Sequence, residues 1–184
     1  MDTFVQHTTD TAPEQSRPML EGAIAKLGFL PNLYAHLAEA PAALEAYFGL
    51  AAQFDKTSLS PAERQVVLLA ASVENGCEFC VAAHSMMSGM AKVPDNSVQA
   101  LRAAGSLPDS RLDALAGFTR SMVRDRGWPS AESSHAFYKA GFDRRQALEV
   151  VLGVSMKTLS NYANHLTGTG TNPELAAHAW TRPA

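Results

Sequence analysis

The sequence predicts an all-α fold. Apolar residues recur at helical spacing through most of the chain, and prolines and capping side chains stand in front of several of those runs. No stretch alternates apolar and polar residues between turn signals, as a half-buried strand would.

Residues 1–16 are polar, contain Pro13 and lack periodicity, so they read as an N-terminal arm or loose tail ahead of a single helical domain over residues 17–184. From Arg17, the residues Met19, Leu20, Ala23, Ile24 and Leu27 trace one helical face until Gly28 and Pro31 close it. Residues 31–39 and 41–54 read as two helices opened by Pro31 and Pro41, because a proline at the first helical position gives up only an N–H that has no partner there. Ser60-Pro61-Ala62-Glu63 has the form of a capping box, and the apolar run Val66 to Val73 behind it predicts a mostly buried helix that Asn75-Gly76 ends. A helix starting near Cys77 and running to about Met90 follows, with Gly89 and Pro94 marking its far side. Asp109 caps a helix over 110–126, Ser130 and Asp143 start two more, the second a long one, and the stretch from Asn172-Pro173 to Trp180 has room for one short helix.

At 184 residues and 46% hydrophobic, the chain is of a size to bury one core. Fifteen Lys and Arg against 18 Asp and Glu leave no basic excess to neutralise a phosphate backbone, which argues against nucleic acid as a partner. No run approaches the roughly 20 apolar residues that span a bilayer, and the N-terminus lacks a secretory h-region, so the expectation is a cytoplasmic protein with no membrane partner. In a reducing compartment, two cysteines three residues apart point to catalysis or metal binding rather than to a structural staple.

Those cysteines begin the pattern Cys77-x-x-Cys80-x-x-x-His84. At about 100° per residue, positions i, i+3 and i+7 share one helical face, so the three side chains can cooperate. Their place at a helix start favours a thiolate, and His84, one turn after Cys80, can act on that sulfur as proton acceptor, directly or through water. A thiolate so activated can attack an O–O bond, form a sulfenic acid, and be resolved by its neighbour to a disulfide that an external reductant reopens. That cycle requires no bound cofactor. Two other readings stay open: a disulfide reductase or general redox protein using the same pair without strong peroxidase activity, and a non-enzymatic helical oligomer in which the set binds metal or is structural. A zinc site would need a fourth ligand, such as His165.

The stretch from Leu59 through Gln65, Gly76, Cys77 and Cys80 to His84 resembles the core of the AhpD-like alkylhydroperoxidases, within the carboxymuconolactone decarboxylase family. Weaker echoes lie in Gly28-Phe-Leu-Pro-Asn-Leu-Tyr34 and Thr158-Leu-Ser-Asn-Tyr-Ala-Asn-His165, so the likeness extends over about residues 17–180. The resemblance implies an AhpD-like helical bundle, assembly into homo-trimers or hexamers, and reduction of hydroperoxides with Cys80 attacking, Cys77 resolving and His84 serving as the motif histidine. It also implies an external thiol reductant, such as a lipoylated protein. Two positions depart from the pattern. Where the family carries a proton-relay glutamate, twelve residues before the first cysteine, this chain has Gln65, which can hydrogen-bond but cannot take a proton. Phe79 stands between the cysteines in place of a histidine. The decarboxylase branch does not rely on a CxxC pair, so lactone decarboxylation is the lesser inheritance.

Lys157, Asn161 and His165 recur every four residues and read as a polar stripe facing solvent or another subunit, with a thiol-site role for Asn161 or His165 as the alternative. Met86, Met87 and Met90 read as core packing, or alternatively as an adaptable pocket wall. His7, His36, His135 and His178 have no partner pattern and are expected at the surface.

Overall fold

The computed structural model describes residues 3–182, all of whose regular elements are helices. They are α1 (Arg17–Leu27), α2 (Asn32–Leu37), α3 (Pro41–Phe54), α4 (Pro61–Glu74), α5 (Glu78–Met90), α6 (Asp95–Arg102), α7 (Ser110–Arg124), α8 (Ala131–Lys139), α9 (Arg144–Thr167) and a closing 3-10 turn, Pro173–His178. The all-α expectation holds.

The capping box that starts α4 is fully formed. Ser60 Oγ accepts from the Glu63 N–H at 3.2 Å, and the Glu63 carboxylate accepts from the Ser60 N–H at 2.8 Å. The residues behind it, Val66 through Ser72, are buried without a break, so α4 has no solvent face and forms the axis of the bundle. Helices α5, α6, α7 and α9 pack around it. Glu63 faces Arg111 of α7 at 3.0 Å, which fixes that carboxylate away from the thiol motif.

Helix α9 is the second organising element. Asp143 and Gln146 close a second capping box at its start. Its Gly153 lies so close to α3 and α4 that a Cβ there would stand 2.8 Å from both Phe54 and Val67. This contact brings the following turns of α9 over α5.

Three expectations need correction. Residues 95–102 form α6, an element left out of the sequence reading. Its apolar signal is only Val98 and Leu101, both buried, too short a run to stand out beside the Pro94 stop signal. The N-terminal arm is docked rather than loose. The His7 N–H donates to the Ala35 carbonyl at 3.1 Å, His7 Nε2 meets Glu39 at 2.6 Å, and buried Ser16 donates to the Ala38 carbonyl at 2.8 Å. His7 is therefore buried, not superficial, and His36 is partly buried beside it. The helix ends differ only locally: the expected 31–39 contracts to Asn32–Leu37, and the expected 110–126 ends at Arg124.

Candidate active site

The turn between α4 and α5 positions the thiols. Gly76 takes φ +68°, a conformation that costs a side chain about 1 kcal/mol or more, and the Arg182 side chain lies directly against it. The chain then turns at Cys77, the N-cap residue of α5, whose carbonyl accepts from the Val81 N–H at 2.9 Å. Cys80 follows in the first turn and His84 one turn later, so these two share a side of α5, with Cys77 in extended conformation at its start. Both cysteines are only 1% exposed. They are unbridged, close enough to share a hydrogen bond, and joined from above by Asn164, whose Nδ2 donates to Cys80 Sγ at 3.2 Å and to Cys77 Sγ at 3.5 Å.

His84 is held between two polar side chains. Its Nδ1 lies 3.0 Å from Gln65 Oε1 and its Nε2 lies 2.9 Å from Lys157 Nζ. An amide oxygen only accepts, so Nδ1 carries the proton and Nε2 accepts from lysine. Burial, reinforced by the Lys157 charge, holds the imidazole well below its ordinary pKa and hence neutral. Gln65 thus fixes the tautomer, the orienting hydrogen-bond role open to an amide.

The polar stripe on α9 corrects the sequence reading. Lys157 is 1% exposed and Asn161 is fully buried, while only His165 reaches solvent. Lys157, Ser160 and Asn164, at i, i+3 and i+7, form a buried ridge over Cys80. Ser160 Oγ stands 4.0 Å from Cys80 Sγ, and Asn161 receives a hydrogen bond at 2.9 Å from Asn75 at the end of α4. Of these, Lys157 and Asn161 belong to the stripe expected to face solvent or another subunit, with a thiol-site role as the alternative for Asn161. Ser160 and Asn164 went unremarked, and their only signal was the i, i+3, i+7 offset from Lys157.

The electrostatics separate the two thiols. Burial on its own raises the Cys80 thiol. The hydrogen bond from Cys77, the charge and hydrogen bond of Lys157, and the Ser160 hydroxyl outweigh it and bring Cys80 down to about 5. Cys77 moves the other way, raised by its hydrogen bond to Cys80 and then by burial. The pair therefore holds a thiolate at Cys80 and a thiol at Cys77.

Cys80 forms part of the floor of a cavity of about 700 Å³, with Lys157, His84 and Gln65 beside it. Cys77 lies behind and takes no part in the wall. Tyr34, Tyr47, Phe48, Phe79 and Met156 make the sides predominantly apolar. Tyr34 packs edge-on to Phe48 with ring centroids 5.0 Å apart, and burial keeps the Tyr34 and Tyr47 phenols un-ionised. Met86, Met87 and Met90 line the cavity too, the last two largely exposed, so the pocket alternative describes them better than core packing. Among the described residues, no three His, Cys, Asp or Glu side chains gather as a metal set, and no helix is long and apolar enough to cross a membrane.

Comparison with known proteins agrees with this picture of the fold. Residues 38–118, which hold both cysteines, Gln65 and His84, match the model of the carboxymuconolactone decarboxylase family. The match covers that segment, and the chain as a whole has the AhpD-like helical fold. An alkylhydroperoxidase AhpD core structure, that of an uncharacterized peroxidase-related protein from Ralstonia eutropha JMP134, superposes with a TM-score of 0.80 at 20% identity, covering 95% of this chain and 96% of that one. A cysteine-to-alanine variant of the debrominase Bmp8, in complex with 2,3,4-tribromopyrrole, also gives 0.80, at 19% identity over 97% of this chain and 96% of that one. A second uncharacterized peroxidase-related protein, from Silicibacter sp. TM1040, gives 0.78 at 20% identity, covering 94% and 93%. A search of curated proteins finds no match. Lys157, Ser160 and Asn164 lie outside the family segment.

Proposed function

We propose that this protein is a thiol-dependent peroxidase that reduces organic hydroperoxides, with Cys80 attacking, Cys77 resolving and His84, whose Nε2 is taken up by Lys157, positioning the proton chemistry rather than accepting the Cys80 proton itself. One observation carries the reading: the Cys80 sulfur lines an apolar cavity beside Lys157, with the Cys77 thiol next to it under the shared amide of Asn164. A cavity of about 700 Å³ with aromatic and methionine walls favours a bulky organic hydroperoxide over hydrogen peroxide. The thiolate attacks the outer peroxide oxygen, the O–O bond breaks, and Cys80 becomes a sulfenic acid. Cys77 then displaces water to form the disulfide. An external dithiol, on a lipoylated protein or free, reopens it.

Leu148, Val151, Tyr162 and Leu166 are exposed along one side of α9, which supports a homo-oligomer, a trimer or hexamer; light scattering of the purified protein reads its size. The reading places the protein in the cytoplasm, where thiols stay reduced.

The test is dithiol-dependent consumption of cumene hydroperoxide by wild type and Cys80→Ser, with the cysteine redox state followed by mass. Turnover lost in the variant and a disulfide formed in the wild type support a two-cysteine peroxidase. A disulfide that cycles without peroxide consumption points to a disulfide reductase instead. The aromatic residues that line the cavity with Cys80 favour one second reading, reductive removal of halogen from a planar haloarene, in line with the 2,3,4-tribromopyrrole held by the debrominase variant. Bromide release from 2,3,4-tribromopyrrole under the same dithiol conditions would select it.

A further inference from the structure

We infer that Lys157 is the proton carrier of this thiol site: it holds the Cys80 sulfur as thiolate, protonates the alkoxide when the peroxide bond breaks, and recovers that proton when the dithiol reopens the disulfide. The inference deepens the peroxidase reading and rests on it for the alkoxide step.

An ammonium group buried to 1% exposure is costly unless an anion accompanies it. Among the described residues, no carboxylate lies within ion-pair distance of Lys157. The groups that face it are His84, held neutral, and the two thiols, of which only Cys80 is also hydrogen-bonded to it. The phenols of Tyr34 and Tyr47 lie near Cys80 as well, but burial keeps them un-ionised. The Cys80 thiolate is the anion left to pair with the lysine.

His84 is fully engaged, giving its proton to Gln65 and accepting from Lys157. It is a positioning residue that aims the lysine at the sulfur. Gln65 then has a reason. A glutamate at this position would put a second anion two hydrogen bonds from Lys157 and compete with the thiolate for its charge. A neutral amide fixes the same tautomer and leaves the lysine to the sulfur. Both Lys157 and Cys80 form part of the cavity floor, so a leaving alkoxide departs beside the ammonium.

The steps balance. The Cys80 thiolate with the Lys157 ammonium attacks ROOH, forming the S–O bond as O–O breaks. Sulfur loses two electrons to the peroxide, and the lysine gives its proton to RO⁻, leaving Cys80 sulfenic acid, ROH and a neutral amine. The Cys77 thiol displaces water from the sulfenic acid, its own proton leaving in that water. A dithiol reductant then returns two hydrogens to the disulfide, and the Cys80 proton passes to the amine, restoring the starting pair.

The experiment is alkylation of Cys80 by iodoacetamide across pH 4–10, with the site read by mass, in wild type, Lys157→Met and Lys157→Arg. The midpoint is the informative readout rather than the rate at one pH, because a thiolate of higher pKa is intrinsically more nucleophilic and offsets its lower population. Wild type should titrate at about 5. Lys157→Met should move the midpoint to or above the free-thiol value of about 8.5, since burial then acts unopposed. Lys157→Arg keeps the charge but cannot release a proton, so it should keep a low midpoint while peroxide turnover falls roughly a hundredfold. A wild-type midpoint near that of a free thiol overturns the inference without any variant. An unshifted midpoint in Lys157→Met, or full turnover in folded Lys157→Arg, overturns it as well. A low wild-type midpoint that is lost in Lys157→Met, in a protein that consumes no peroxide, removes the peroxidase reading and the alkoxide step with it but keeps the hold of Lys157 on the sulfur.

Discussion

The two halves of α9 bury different kinds of residue and do opposite things with them. The first half turns Val150 and Gly153 toward α3 and α4, where backbone and rings approach until no Cβ fits at Gly153. The second half turns Lys157, Ser160, Asn161 and Asn164 inward, over the cysteines. Burial in the first half gains free energy from apolar contact, about 1.5–3 kcal/mol for a fully buried valine. Burial in the second half gains little unless each polar group finds a partner. The close packing of one half thus sets the register in which the polar groups of the other meet two thiols. Changing one half and reading the other tests that link.

The largest effect belongs to the partner of the polar half. Cys80→Ser removes the group around which Lys157, Ser160 and Asn164 are arranged, and dithiol-dependent peroxide turnover should fall by at least about a hundredfold. Thermal unfolding should shift to lower temperature as well, because serine leaves the buried Lys157 ammonium without its anion. Turnover that survives would place the chemistry elsewhere.

Next comes Asn164→Ala, which removes the amide that donates to both sulfurs. A hydrogen bond to a charged group contributes about 1.5–3 kcal/mol, which converts to roughly 1–2 pH units in the Cys80 titration. The sign follows from the donor favouring the thiolate: without it the thiol pKa rises, and the alkylation midpoint moves upward from about 5. An unchanged midpoint would make Asn164 a packing residue only.

Gly153→Ala probes the apolar half. The added methyl meets Phe54 and Val67 at 2.8 Å, and overpacking of this kind costs about 1–3 kcal/mol. Urea unfolding should show that loss. If the register argument holds, the cost comes with an altered Cys80 titration, because α9 must move from α3 and α4 and carries Lys157 with it. Lost stability with an unaltered titration would show the two halves to be independent.

The apolar half was legible in the sequence and the polar half was not, for a physical reason. Helical periodicity tells which residues share a face, and Val150 lies inward as an apolar side chain should, although Leu148 and Val151 of the same half are exposed. Lys157, Asn161 and His165 share a face by the same arithmetic, but nothing in a polar stripe says whether its partner is water or a buried thiolate. That information sits in α5, some seventy residues earlier in the chain. The motif itself was legible because Cys77, Cys80 and His84 are local: helix geometry alone brings Cys80 and His84 to one side, with Cys77 at the helix start. Gln65 was legible as a departure and illegible as a design, since its effect depends on a lysine that only the tertiary fold places on the other ring nitrogen. The helix starts at Ser60, Asp109, Ser130 and Asp143 were readable because a cap is satisfied within three residues. The short α6 was not, because it depends on packing rather than on its own signals.

The smallest effect tests whether the two halves of α9 share anything beyond a helix. Asp143 accepts from the Gln146 N–H at 2.8 Å, and the Gln146 side chain returns a bond to the Asp143 N–H at 3.0 Å. Asp143→Ala removes this cap at the far end from the thiols and should cost about 1 kcal/mol. Fraying there is confined to the first turn, well before Gly153, so the apolar contact should hold the register and the Cys80 titration should stay where it is. Urea unfolding and iodoacetamide alkylation on the same variant decide the point. A shift of the titration would mean that the whole helix, rather than the contact at Gly153, sets the position of Lys157.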